Sequence, residues 1–142
     1  VGLLAAMPVL LLCTLVYHLS LQALGHQPSL QDVAFAISGE RVLWVRIYFL
    51  ALAVVVAPLF EEILFRGIIL PALARRFGVA VAIVAVSLLF GLIHGHVPSM
   101  VTLFLLSVAL CVGYIGSGSL MTSVIMHSLF NAVTVGILMT LT

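Results

Sequence analysis

Three groups of ionisable and polar residues stand out because each sits inside an otherwise apolar run. The first is Glu61-Glu62-Ile63-Leu64-Phe65-Arg66. On a helix Glu62 and Arg66 are one turn apart and can pair. Glu61 is turned about 100° away and faces something else. A buried ion pair that locks two helices accounts for Glu62 and Arg66. It does not account for Glu61, and an unpaired carboxylate at membrane depth reads as functional, a group that can take and give a proton. The second group is Phe90-Gly91-Leu92-Ile93-His94, with Gly95 and His96 just beyond. Phe90 and His94 share a face, and Gly91 and Gly95 are expected to let another backbone come close. His96 reads as an interfacial histidine. The third is His127-Ser128-Leu129-Phe130-Asn131, in which His127 and Asn131 lie at i and i+4 and face the same way. They are either an interhelical hydrogen-bond pair or two donors aimed at a carbonyl oxygen, as an oxyanion site requires.

The elements that must position these groups follow from composition. Hydrophobic residues make up 65% of the chain and charged residues 6%, against about a quarter charged in an ordinary soluble domain. Mean hydropathy is +1.43. There is no Lys; the bases are Arg41, Arg46, Arg66, Arg75 and Arg76, and the acids Asp32, Glu40, Glu61 and Glu62. A net charge of +1 offers no basic patch for nucleic acid. The chain therefore reads as an integral, multi-pass membrane protein whose immediate partner is the lipid bilayer. Its oligomeric state is open. The fold class is all-α, a polytopic transmembrane helix bundle of about five to six segments around an intramembrane active-site cavity, because lipid offers no partner to backbone amides. The apolar runs do not alternate as barrel strands would.

Val1–Leu24 reads as a first span: it is too long for a signal-peptide core and lacks a basic leading region. The start at Val1 suggests part of something longer. Gly25–Glu40 is a polar connection in which Asp32–Ile37 could form a short interfacial helix. Arg41–Phe77 is one long tract interrupted by Pro58 and Pro71. As a straight helix it would rise roughly 50 Å, beyond the hydrocarbon core. Two helical segments meeting near Pro58, in line or sharply bent, are expected. Gly78–His96, Pro98–Ile115 and Leu120–Thr142 complete the set, joined by tight links at His96–Pro98 and Gly116–Ser119. Arg75 and Arg76 mark the cytoplasmic end by charge, while Arg41 and Arg46 pull the other way. Cys13 and Cys111 have no metal or disulfide spacing and read as small apolar core residues. No GxSxG elbow is present, and the serines of Gly116–Ser119 read as a turn.

In order, EExxxR, FxxxH and HxxxN on consecutive apolar segments resemble the type II CAAX prenyl protease and bacteriocin-processing family of intramembrane proteases, also called the CPBP or ABI family. The matching residues are Glu61, Glu62 and Arg66, then Phe90 and His94, then His127 and Asn131, and the stretch Pro-Leu-Phe-Glu-Glu-Ile-Leu-Phe-Arg-Gly carries the resemblance most specifically. It extends from Arg41 to the C-terminus, giving an N-terminal helix and polar connection over residues 1–40 and a protease-like core over residues 41–142. Family members usually have further helices before the core.

The resemblance implies an intramembrane endopeptidase acting on a membrane-associated protein or peptide, in a bacterial cytoplasmic membrane. Glu61 would be the general base, His94 would orient the water, and His127 and Asn131 would hold the oxyanion. Glu62, Arg66 and Phe90 would support them; His96 has no assigned role. A metal-free site is expected, with no cofactor required. A metalloprotease-like version with zinc on Glu61, His94 and His127 is the rival, although HExxH is absent. Two readings from other classes remain: a transporter or proton relay, since buried Glu and His also mark ion pathways, and a non-catalytic scaffold that uses the polar set as helix glue.

Overall fold

The computed structural model describes residues 12–13, 15–17, 19–25, 39 and 42–141. Among them there are helices and turns and no strand. The helices are α1 (Leu43–Phe77), α2 (Val79–Ile93), α3 (Met100–Ser117) and α4 (Leu120–Leu141). Residues 12–13, 15–17 and 19–23 are also helical. The rest of the expected Val1–Leu24 span, and the Asp32–Ile37 helix, lie outside the described residues.

α1 runs unbroken through both of its prolines. Its α-helical backbone is relieved by two π turns, Leu52–Val56 and Ile63–Ile69, and each ends two residues before a proline, Pro58 and Pro71. A proline ring clashes with the carbonyl four residues back and supplies no N–H. A π turn shifts the register by one residue and gives that carbonyl room. The two segments expected to meet near Pro58 belong to one continuous helix, Leu43–Phe77. The 35 residues of α1 exceed what a perpendicular crossing needs.

α1, the Val97–Ser117 stretch and α4 are each long and apolar enough to cross a membrane, whereas Val79–Ile93 has 15 residues. That is a few residues short of the ~20 a full span takes. Gly78 (φ 83°) and Gly118 (φ 65°) make the sharp turns after α1 and α3 in conformations that other residues avoid. Their N–H groups close the preceding helices on Ala74 O and Tyr114 O. At Gly91 an added Cβ would lie 3.3 Å from Met100 O, so α2 and the start of α3 do meet there. Gly95 differs from expectation: among the described residues an added Cβ would meet nothing within 4 Å, and its φ of 61° makes it a turn residue.

The core forms where α2 and α3 pack on the second half of α1, around Phe65, Leu70, Ala82, Val86, Phe90, Leu103 and Cys111. A second cluster, Leu106, Leu110, Met126 and Phe130, joins α3 to α4. Cys111 is core, as expected, but Cys13 is exposed. Large apolar residues such as Trp44, Phe60 and Leu92 point outward all round the bundle, the arrangement of helices solvated by lipid.

Candidate active site

Glu62 and Arg66 are wholly buried and paired, with Arg66 Nη1 donating to Glu62 Oε1 at 2.7 Å. The other guanidinium nitrogen, Nη2, reaches α3, donating to Ser107 Oγ at 2.7 Å and to Ser107 O at 3.1 Å. Phe90 lies under this pair. Its ring is 5.1 Å from the Arg66 guanidinium carbon and 5.1 Å from the Phe65 ring, and it also meets His94 and His127. That central place, with no solvent exposure, is why a bulky aromatic stands one turn before His94.

Glu62 Oε1 has a second donor. His127 Nδ1 on α4 lies 2.9 Å from it. A carboxylate oxygen that already accepts from Arg66 can only accept, so Nδ1 carries the proton. His94 is fixed in the same sense: Nδ1 is 2.7 Å from Phe90 O, one of the last carbonyls of α2, and a carbonyl can only accept. In their neutral forms both imidazoles therefore present a bare Nε2.

Both Nε2 atoms face Glu61. Its Oε2 lies 4.0 Å from His94 Nε2 and 3.9 Å from His127 Nε2. These separations are too long for a direct hydrogen bond and suit one bridged by water. Oε2 is itself shielded and has no hydrogen-bond partner among the described residues. The side chains of Glu61 and His94 are 27% and 23% exposed, while that of His127 is 4% exposed. Glu61 and His94 are thus partly accessible while His127 is buried. A shallow apolar cavity on α2, lined by Ala80, Val81, Val84, Ala85 and Leu88, contributes none of these groups.

Asn131 points toward α1 with His127, but its Nδ2 donates to the backbone carbonyl of Ala53 at 2.8 Å. His96 Nδ1 bonds Ser99 Oγ at 2.8 Å across the α2–α3 turn. Ser107 and Ala53 were not foreseen from the sequence. A serine in an apolar span carries no spacing signal toward an arginine 41 residues away, and a backbone carbonyl carries none at all.

The donor set of Glu61, His94 and His127 has the chemistry zinc uses: two imidazole Nε2 atoms and a carboxylate, with each Nδ1–H held by an oxygen. The spacing is wider than zinc needs. Bonds near 2.0–2.1 Å put tetrahedral ligands roughly 3.3–3.4 Å apart, so the three atoms would have to close by about half an ångström. Among the described residues no group of three or more His, Cys, Asp or Glu is arranged to hold a metal ion.

Apolar helices of spanning length around a buried ion pair and a shielded carboxylate define an integral membrane protein with an ionisable site between its helices. The family model of the type II CAAX prenyl endopeptidases, Rce1-like, matches residues 43–133, and the chain belongs to that family. It is, in general terms, a CAAX-type membrane protease. No curated protein and no solved structure matches the chain.

Proposed function

We propose that the chain is an intramembrane endopeptidase that cleaves a membrane-associated protein or peptide with water activated by Glu61. The observation that carries this reading is Glu61 Oε2, shielded, without a hydrogen-bond partner among the described residues, and faced by two imidazole Nε2 atoms at 3.9 and 4.0 Å. A water between these atoms donates one hydrogen to Glu61 Oε2 and the other to His94 Nε2. Glu61 takes the first proton as the water oxygen attacks the scissile carbonyl. His127 keeps its Nδ1–H on Glu62, and an Nε2–H on the same ring would be a donor to the developing oxyanion. The Asn131 amide N–H left over after Ala53 is a second donor on the same face. The C–N bond then breaks as Glu61 returns its proton to the leaving nitrogen. Glu62, Arg66 and Phe90 hold this constellation in place.

Zinc, if bound, would sit on Glu61, His94 and His127 and supply an acidified water and a Lewis acid. The metal-free scheme is favoured by the wide spacing and by the fate of the other carboxylate. With Glu61 a ligand, the base would have to be Glu62, and its Oε1 already accepts from Arg66 and His127.

The test is product identification by mass spectrometry after purified protein meets a library of membrane peptides. Cleavage products that vanish with a folded Glu61→Gln variant support the proposal. Intact peptides, or undiminished products from that variant, reject it.

A further inference from the structure

The first π turn of α1 leaves a debt that can be followed bond by bond. Ala57 N–H reaches back five residues to Leu52 O. In the same register the next carbonyl, Ala53 O, would take its hydrogen from residue 58, and residue 58 is a proline with no N–H. Ala57, the donor an ordinary α turn would offer, is already engaged with Leu52. Neither its α nor its π donor therefore serves Ala53 O, in a bundle where a buried carbonyl without a partner is costly. The atom that reaches it comes from another helix: Asn131 Nδ2, at 2.8 Å.

We propose that Asn131 is a positioning residue whose amide stands in for the N–H that Pro58 lacks. Its bond to Ala53 sets α4 against α1 in the register that brings His127 to Glu61 and Glu62. The two helices are then tied twice. His127 holds Glu62 Oε1, and Asn131, one turn further along α4, holds a carbonyl two turns earlier on α1. A single tie would let α4 pivot about the Glu62–His127 bond. The second tie removes that freedom and fixes where His127 Nε2 points. Most of what Asn131 does for the site passes through Ala53, and only the remainder through its second N–H. The activity half of this inference rests on the protease reading; the structural half does not.

The experiment compares wild type, Asn131→Ala, Pro58→Ala and the double variant in detergent micelles, by thermal midpoint and by kcat and KM on a cleaved membrane peptide. Pro58→Ala restores an N–H at the π position of Ala53. Asn131→Ala should lower kcat by about tenfold or more, with KM little changed, and should lower the midpoint. In the Pro58→Ala background, losing Asn131 should cost less than about threefold in kcat and leave the midpoint unmoved. An oxyanion donor would not be rescued in this way, so a double variant as slow as Asn131→Ala overturns the proposal, as do additive midpoint losses. The midpoint needs no substrate. If the chain cleaves nothing, the protease reading fails while this coupling is still judged. Should Pro58→Ala not fold, Asn131→Asp keeps the shape and removes the donor. A wild-type midpoint in that variant would equally refute the inference, and a loss at least as large as that of Asn131→Ala supports it.

Discussion

Glu62 is the residue whose removal tests the architecture most sharply. Its Oε1 accepts from Arg66 Nη1 at 2.7 Å and from His127 Nδ1 at 2.9 Å, and both Glu62 and Arg66 are fully buried. Glu62→Ala leaves a guanidinium with no counter-charge there. Breaking a buried pair by removing one partner costs about 3–5 kcal/mol. The lost His127 bond, of the charge-assisted kind worth about 1.5–3 kcal/mol alone, does not simply add, because both bonds share one oxygen. A total of about 3–5 kcal/mol is expected. In Glu62→Gln the amide oxygen can still accept both bonds, but a neutral acceptor is roughly half as strong, so about 1–3 kcal/mol is expected. Replacing both partners, Glu62→Leu with Arg66→Met, should cost less than either removal alone, because no buried charge is stranded. Equilibrium unfolding in micelles reads these three and the single replacements Glu62→Leu and Arg66→Met. Glu62→Ala as stable as wild type would refute the reasoning, and so would a double variant that loses the sum of the singles.

Further outcomes bear on the chemistry. Glu61→Gln should remain folded, since its Oε2 has no hydrogen bond to lose among the described residues, and should lower kcat by about 10²–10⁴-fold; unchanged turnover in a steady-state assay would remove Glu61 from the mechanism. His94→Ala and His127→Ala should each abolish cleavage, while His96→Ala, at a residue bonded to Ser99 Oγ in a turn, should keep most of it; equal loss at His96 would show that the second-motif histidine was assigned too narrowly. Elemental analysis of active protein should find no stoichiometric zinc, and strong chelation should leave activity intact; loss on chelation with recovery on adding zinc would overturn the metal-free scheme and keep the protease.

The sequence disclosed the parts of this site that lie within one helical turn. Glu62 and Arg66 at i and i+4, and Phe90 on the same face as His94, needed only the pitch of a helix, and the structure has both. It also disclosed that Glu61 points elsewhere than Glu62. What stayed hidden depends on contacts between turns far apart in the chain. His127 and Glu62 are 65 residues apart, Arg66 and Ser107 are 41 apart, and neither distance leaves a periodicity. The unbroken course of α1 was hidden for another reason. A π turn is a change of backbone register, and Leu-Ala-Val-Val-Val gives no compositional sign of one. Gly95 misled because glycine serves both close packing and positive φ, and only the backbone angle distinguishes them.

The two glutamates are adjacent in sequence, yet physical chemistry assigns them opposite conditions. Neighbouring side chains on a helix diverge by about 100°, so one can be immobilised in the core while the next stays accessible. Glu62 receives the buried cation, and through Arg66 and Ser107 it anchors α1 to α3. Its charge is thereby compensated, which leaves Glu61 as the carboxylate facing the histidines without a bound cation of its own. Among the described residues His127 is the side chain that reaches both: Nδ1 bonds Glu62 Oε1, and Nε2 faces Glu61 Oε2 at 3.9 Å. The ion pair and Glu61 thus meet at a single ring, that of His127.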